Sequence, residues 1–199
     1  SSGFTSLLVN RGSLNNKGVE LTLNGSLIDK NDFSIDIGGN IAFNKSKIQN
    51  LGGTPEDIYI NGNIENRVFY RGQNISTGNY FRAPANIFME GEEVGLFYGF
   101  ETDGIYQTED VITVSGAQAG DVRIVDQNGD DAITEADRTI IGNPNPDFVY
   151  GGYLSMNYKR LNLSIQMNGV YGNEIANGNS IQLGTAEGRS ANILSQAYN

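Results

Sequence analysis

The sequence predicts an all-β protein built from long antiparallel strands of the kind that form the wall of a transmembrane barrel. Three observations carry this expectation. Apolar and polar residues alternate strictly over arms of about ten residues or more. The polar partners in those arms are almost all uncharged. Very short turns alternate with very long connections, as in barrels with short turns on one side of a membrane and long loops on the other.

The first arm places Val19, Leu21, Leu23, Gly25 and Leu27 on one face against Glu20, Thr22, Asn24 and Ser26 on the other. After the turn residues Asp29-Lys30-Asn31-Asp32, the second arm sets Phe33, Ile35, Ile37, Gly39, Ile41 and Phe43 against Ser34, Asp36, Gly38, Asn40 and Ala42. A second hairpin runs Phe148, Tyr150, Gly152, Leu154, Met156 and Tyr158, reverses at Lys159-Arg160, and returns through Leu161, Leu163, Ile165, Met167, Gly169 and Tyr171. Strands of soluble proteins cluster near 5–6 residues, whereas a tilted strand of roughly 9–11 crosses the hydrocarbon core of a bilayer. The other face of these arms is Ser, Asn, Gln, Thr and Gly with very little Lys. A soluble sheet protects its wet face and edges with charge, so a neutral polar face suits a wet barrel lumen with lipid on the opposite side. The competing architecture is a soluble β-sandwich with one buried face per sheet.

Between the hairpins, residues 45–86 and 108–147 are long and rich in Gly, Asn, Asp and Thr. Strand parity requires an even number of wall crossings between the two hairpins. The expected pair is a descending strand within residues 79–89, a turn at Glu90-Gly91-Glu92-Glu93, and an ascending strand over residues 94–107, although Pro84 opposes the first member. Gly-rich stretches such as Tyr150-Gly151-Gly152-Tyr153 lie inside strand patterns and lack the helix and Lys of a phosphate loop.

Composition removes several functions. The chain has 199 residues with no Cys, His or Trp, so disulfides, thiol nucleophiles, thiolate or imidazole metal sites and His-assisted hydrolysis are excluded within it. A net charge of −10 argues against nucleic acid. No apolar run is long enough for a transmembrane helix. The beginning at Ser1-Ser2-Gly3-Phe4 and the polar stop at Ser195-Gln196-Ala197-Tyr198-Asn199 lead us to expect a piece of a longer protein.

The sharpest local motif is the acidic run over residues 126–137. Counting Asp126 as the first position, oxygen side chains fall at the first, third and fifth, Ile133 at the eighth and a carboxylate at the twelfth, as in a calcium loop. Asp126, Asn128, Asp130, the Ala132 carbonyl and Asp137 are the expected ligands, and calcium the expected cofactor. Asp131 stands where Gly is usual and Asp137 where Glu is usual, which predicts weaker binding or an altered turn. The bland alternative is an acidic, solvated loop. Loop aromatics Tyr59, Tyr70 and Tyr80 are candidates for stacking on a ligand ring. Glu90, Glu92, Glu93, Glu101 and Asp103 could supply the two carboxylates of a glycosidase, but nothing fixes their separation, so no enzyme is expected.

Several blocks in order resemble the SusC/RagA family of TonB-dependent outer-membrane transporters. They are residues 15–23 (NNKGVELTL), 91–100 (GEEVGLFYGF) with 102–107 (TDGIYQ), Gly120-Asp121-Val122-Arg123, residues 137–148 (DRTIIGNPNPDF) and Gly169-Val170-Tyr171-Gly172-Asn173. The resemblance covers about residues 11–180 and implies the C-terminal part of a 22-stranded barrel in the outer membrane of a Gram-negative bacterium. It further implies a plug domain engaging TonB, a SusD-like surface lipoprotein as partner, contact with outer-membrane lipid, and oligosaccharide or peptide cargo. On that reading residues 1–199 are a partial barrel lacking the plug, the TonB box, the first strands and the aromatic-ended closing strand. Residues 108–147 become a long extracellular loop tied down by calcium, with Asn143-Pro144-Asn145-Pro146 a rigid turn before the next strand. The alternative function is a secreted calcium-dependent β-sandwich that binds carbohydrate or serves adhesion.

Overall fold

A computed structural model describes residues 12–72, 74–76 and 82–178. The chain opens with two strands of 18 residues, β1 (Ser13–Lys30) and β2 (Phe33–Asn50). Ten short strands follow: β3 (Glu56–Ile60), β4 (Asn63–Arg67), β5 (Phe69–Arg71), β6 (Asn74–Ser76), β7 (Arg82–Pro84), β8 (Asn86–Met89), β9 (Leu96–Phe100), β10 (Thr102–Ile105), β11 (Val122–Ile124) and β12 (Arg138–Gly142). A 3₁₀ turn at Glu135–Asp137 precedes β12, and the described chain closes with the 11-residue strands β13 (Phe148–Tyr158) and β14 (Leu161–Tyr171).

The four long strands form one antiparallel sheet in the order β1-β2-β13-β14. Alternation explains why these arms form a two-faced sheet, though not their order, because each arm can satisfy its backbone only by pairing and can separate its two kinds of side chain only on opposite faces of a sheet. Both reversals are two-residue turns, and they are neighbours: the Lys159 amide donates to the Asp32 carbonyl. Lys159 takes the left-handed conformation that a tight hairpin demands. A register shift between Ser26 and Ile28 leaves Leu27 as the bulged residue and brings Ile28 opposite Ile35, so the apolar row continues to the turn.

The expected pair of wall strands between the hairpins is absent. β2 pairs directly with β13 from Phe33↔Tyr158 to Ala42↔Val149, leaving no place for an intervening strand. The segments assigned to that pair instead give β7, β8, β9 and β10, only 3, 4, 5 and 4 residues long. Ile87, Met89, Leu96 and Tyr98 from β8 and β9 are buried together with Ile58 and Ile60, with Phe69 and Ile140 packed against them. Short strands with buried residues build a compact layer, not a membrane wall. The parity condition still holds, since zero crossings is even.

This layer, formed from the described residues between 51 and 147, sits at the end of the long sheet opposite the two short turns. It is fastened to β2 by backbone: Ile48 donates to the Glu92 carbonyl and accepts from the Gly91 amide, and the Leu51 amide donates to the Glu90 carboxylate. Ile48 is thereby buried. Within the layer, the Asn-Pro-Asn-Pro segment is tied to the stretch between β8 and β9, with Asn143 Nδ2 donating to the Glu93 carboxylate and Asn145 Nδ2 to the Val94 carbonyl. Asn145 also closes a local turn by donating its amide to Asn143 Oδ1.

Candidate functional site

The register of the long sheet sorts its side chains into cross-strand rows. On the apolar face the rows are Leu21–Ile41–Tyr150–Gly169, Leu23–Gly39–Gly152–Met167, Gly25–Ile37–Leu154–Ile165 and Ile28–Ile35–Met156–Leu163. This face is uncovered: Leu23 is 81% exposed, Met167 65% and Leu21 61%. A soluble monomer rarely leaves so large a contiguous apolar surface open.

Aromatic residues bound the face at both ends. At the loop end Phe43 meets Phe148 at 5.6 Å between centroids, and Phe148 stacks on Tyr171 at 5.0 Å. At the turn end Phe33 and Tyr158 meet edge to face at 6.1 Å, and the Lys159 ammonium lies over the Tyr158 ring. Phe148 and Tyr158 are separated along β13 by about 34 Å, or about 26 Å of height at a barrel tilt of about 40°, against an apolar band of about 25 Å in membrane barrels.

The opposite face carries Thr22–Asn40–Gly151–Asn168, Asn24–Gly38–Tyr153–Gln166, Ser26–Asp36–Ser155–Ser164 and Asp29–Ser34–Asn157–Asn162. Its side chains bond across strands: Ser26 to Asp36, Asn162 to Asn157, and Asn157 Nδ2 to Ser34 Oγ at 3.0 Å. Gly38 is required here because the Tyr153 ring lies where its Cβ would project, with a ring carbon 2.2 Å from that point. The ring covers the gap that glycine leaves, which holds the local register.

In the acidic loop, Asp126 accepts the amides of Gly129, Asp130 and Asp131 at 2.7, 3.3 and 2.8 Å. Desolvation raises the Asp126 carboxyl, but the amides of Asp131, Gly129 and Asp130, together with the Asp137 carboxyl, outweigh it and hold the group below the usual carboxylate range. Asp137 is fully buried, with one oxygen taking the Gln127 amide at 2.9 Å and the other the Thr134 amide at 2.7 Å. Thr134 and Asp137 complete a capping box over the 3₁₀ turn. Asp131, where glycine was expected, adopts the left-handed conformation with φ 60°, so the sharp turn is kept. Asp130 is turned to the Ala132 amide and to Asn128 Nδ2. Among the described residues no three acidic side chains gather closely enough to hold a metal ion.

The three candidate tyrosines are not assembled into a platform. Tyr59 lies on β3, half-buried, and its carbonyl accepts the Tyr98 hydroxyl at 2.8 Å. Tyr70 lies on β5 and is 46% exposed, and among the described residues no ring contact joins it to Tyr59. Tyr80 lies outside the described residues. Burial raises Tyr98 above the ordinary phenol value despite the nearby Arg71 and Arg138, and this hydroxyl serves the core of the loop layer.

Sequence reasoning stopped the first hairpin at Val19 and Phe43, whereas β1 and β2 continue outward to Ser13 and Asn50. The extension puts Lys17, Lys45 and Lys47 on the apolar-face side, just beyond the loop-end aromatics. The apolar–polar alternation ends at Val19 and Phe43, because residues 15–18 (NNKG) and 44–47 (NKSK) are polar on both faces, and only the pairing of β1 with β2 reveals the extension.

No family model matches the chain. It is 31% identical over 202 residues to TonB-dependent receptor P3 of Formosa agariphila, covering 99% of this chain and 19% of that protein. TonB-dependent receptor P26 of the same organism is 31% identical over 180 residues, and TonB-dependent receptor SusC of Bacteroides thetaiotaomicron 28% over 167 residues. The chain thus spans 15–19% of the length of these relatives. Among solved structures, the RagAB peptide importer in its closed-closed state aligns with a TM-score of 0.56 at 23% identity, covering 86% of this chain and 17% of that one.

Proposed function

Because this chain belongs to the SusC/RagA family of TonB-dependent receptors, proteins of the Gram-negative outer membrane, we propose that it is a wall segment, with its attached extracellular loop layer, of a nutrient importer. It is a receptor segment and not an enzyme. The observation that carries the reading is the uncovered apolar face framed by Phe43, Phe148 and Tyr171 at one end and Phe33 and Tyr158 at the other. Lipid covers that face, the Asn/Ser/Gln face lines the lumen, and the outer strands of the sheet pair with further strands of a barrel of about 22 strands. The complete receptor, expressed with its signal sequence, should require detergent and shift in electrophoretic mobility on heating. A folded monomer soluble without detergent would overturn the reading and favour a secreted sandwich.

The finer assignments belong to the same proposal. The cargo is an oligosaccharide or a peptide, the latter supported by the peptide importer that shares the fold, and it is received together with a SusD-like lipoprotein seated on the loop layer. TonB acts through a plug domain elsewhere in the receptor. Co-purification of the receptor with a surface lipoprotein, lost when the loop layer is replaced, tests the partnership. Tyr59, Tyr70 and Tyr80 remain the proposed stacking residues for a ring-bearing cargo.

For residues 108–147, the proposed extracellular loop, we assign weak calcium binding to Asp126, Asn128, Asp130, the Ala132 carbonyl and Asp137. The order of donors and the left-handed Asp131 support it. Asp130 must leave the Ala132 amide to join them, which lowers affinity. Chelation should loosen the loop, and an Asp126→Ala receptor with unchanged calcium content would remove the site.

A further inference from the structure

Resting on the barrel reading above, we propose that the lumen face around Tyr153 is a wall subsite for a neutral sugar ring passing through the receptor, which narrows the cargo to an oligosaccharide. Two adjacent rows of the polar face build it, Thr22–Asn40–Gly151–Asn168 and Asn24–Gly38–Tyr153–Gln166. Gly38 and Gly151 carry no side chain into the lumen, so they form a floor, and the hollow lined by Asn24, Asn40, Tyr153, Gln166 and Asn168 measures about 380 Å³. Tyr153 lies over Gly38 yet is 40% exposed, so part of its ring is open to the lumen. It stands midway along β13 between Phe148 and Tyr158, inside the wall and not at either rim.

The hydrogen bonding of this band differs from that nearer the turns. Toward the turns the polar face is closed on itself, Ser26 bonding to Asp36, Asn157 to Ser34 and Asn162 to Asn157. Around Tyr153, the side-chain amides of Asn24, Asn40, Gln166 and Asn168 and the tyrosine hydroxyl are exposed and make no hydrogen bond among the described residues. Each amide offers two donors and an acceptor, which suits a sugar hydroxyl that is itself both donor and acceptor. Water serves these groups in an open lumen, and a ligand hydroxyl replaces it. The tyrosine ring supplies the apolar surface against which the C–H face of a sugar ring packs. Neither row holds a charged side chain, so nothing here compensates for desolvating an ionic ligand. A peptide taken up as an added strand needs a free sheet edge, whereas β2 and β13 are paired on both sides.

The test is calorimetric titration of the full-length receptor in neutral detergent. The probes are neutral hexasaccharides of glucose, galactose and mannose, a hexagalacturonate, and an uncharged Ser-Gly hexapeptide. At least one neutral hexasaccharide should bind the wild type, and the hexagalacturonate and the peptide should bind more weakly. Tyr153→Ala should weaken that binding about threefold to tenfold, the loss of one aromatic contact, and Tyr153→Phe should weaken it less because the ring is kept. Gln166→Met/Asn168→Leu removes two amides, keeps their bulk and leaves Tyr153 on Gly38, so it decides the matter if Tyr153→Ala misfolds. Its expected loss is about tenfold. Ser155→Ala, nearer the turns on the same face, should leave affinity unchanged. Three results overturn the subsite and leave the barrel reading standing: binding of none of the neutral sugars, equal binding of the peptide or the hexagalacturonate, or unchanged affinity in a heat-modifiable Gln166→Met/Asn168→Leu receptor. A receptor that folds without detergent overturns the barrel reading and the subsite with it.

Discussion

An arginine series along β14 separates a lipid-facing sheet from a packed protein core. Leu161, Leu163, Ile165 and Met167 lie on the apolar face, and Ser164 lies between two of them on the other. Measured from Leu161 at the turn-end girdle, Ile165 is about 10 Å deep and Tyr171 about 26 Å, at about 2.6 Å of height per residue in a tilted strand. Ile165 is therefore close to the middle of the band. Arginine on the lipid face costs about 2–4 kcal/mol at the midplane and about 0–1 kcal/mol near an interface. Ile165→Arg should accordingly destabilise the full-length receptor by about 2–4 kcal/mol, at least a tenfold shift in the folding equilibrium, whereas Leu161→Arg should be nearly silent. Leu163→Arg and Met167→Arg should fall between them or near the maximum. Ser164→Arg, at the same depth on the polar face, should cost less than about 1 kcal/mol because it stays in water. The assay is urea unfolding in phospholipid vesicles, followed by loss of heat-modifiable mobility. A flat series across the four apolar-face positions, or a Ser164→Arg cost equal to that of Ile165→Arg, would refute the assignment of the two faces.

Three further outcomes follow from named contacts. Asp137→Asn removes one of two carboxylate acceptors in a fully buried position and should cost the loop layer about 2–3 kcal/mol, read as faster hydrogen exchange at Gln127 and Thr134. Asp126 has its folded value held down, so its contribution is complete above the ordinary carboxylate range and is lost as pH falls through the lowered value; proteolysis of residues 126–137 should accelerate in acid, and Asp126→Asn should abolish that dependence. Gly38→Ala should displace the Tyr153 ring at a cost of about 1–3 kcal/mol, and adding Tyr153→Ala should recover part of it in a double-mutant cycle of vesicle unfolding.

The wall was legible from sequence because its physics is local. A two-residue period fixes which side chains share a face before any partner strand is known, and the Lys159-Arg160 turn and the register of β13 with β14 follow from it, whereas the bulge at Leu27 carries β1 on to Lys30 and shortens the expected turn at residues 29–32 to 31–32. The direct pairing of β2 with β13 was not legible, since over 90 residues of chain intervene and alternation is silent on adjacency. The loop layer was harder still. β9 pairs with β12, Arg138 opposite Phe100, and their strands of 5 residues are too short to show a period. Ile87 and Met89 read as a possible wall face, and only the closure of the core around them shows that they are interior to the layer. In the acidic loop the donor order was visible, but the use of both Asp137 oxygens by backbone amides depends on where Thr134 turns the chain.

The sheet's own edges explain why the apolar face and its girdle belong to a larger wall. β1 and β14 each have one row of backbone donors and acceptors without a ladder among the described residues. In hydrocarbon each such group costs several kcal/mol, so lipid cannot be the neighbour along the edges even though it is the neighbour across the apolar face. Two requirements then act at right angles: side chains demand lipid on one face and water on the other, while the backbone demands further strands on both sides. A closed barrel meets both at once.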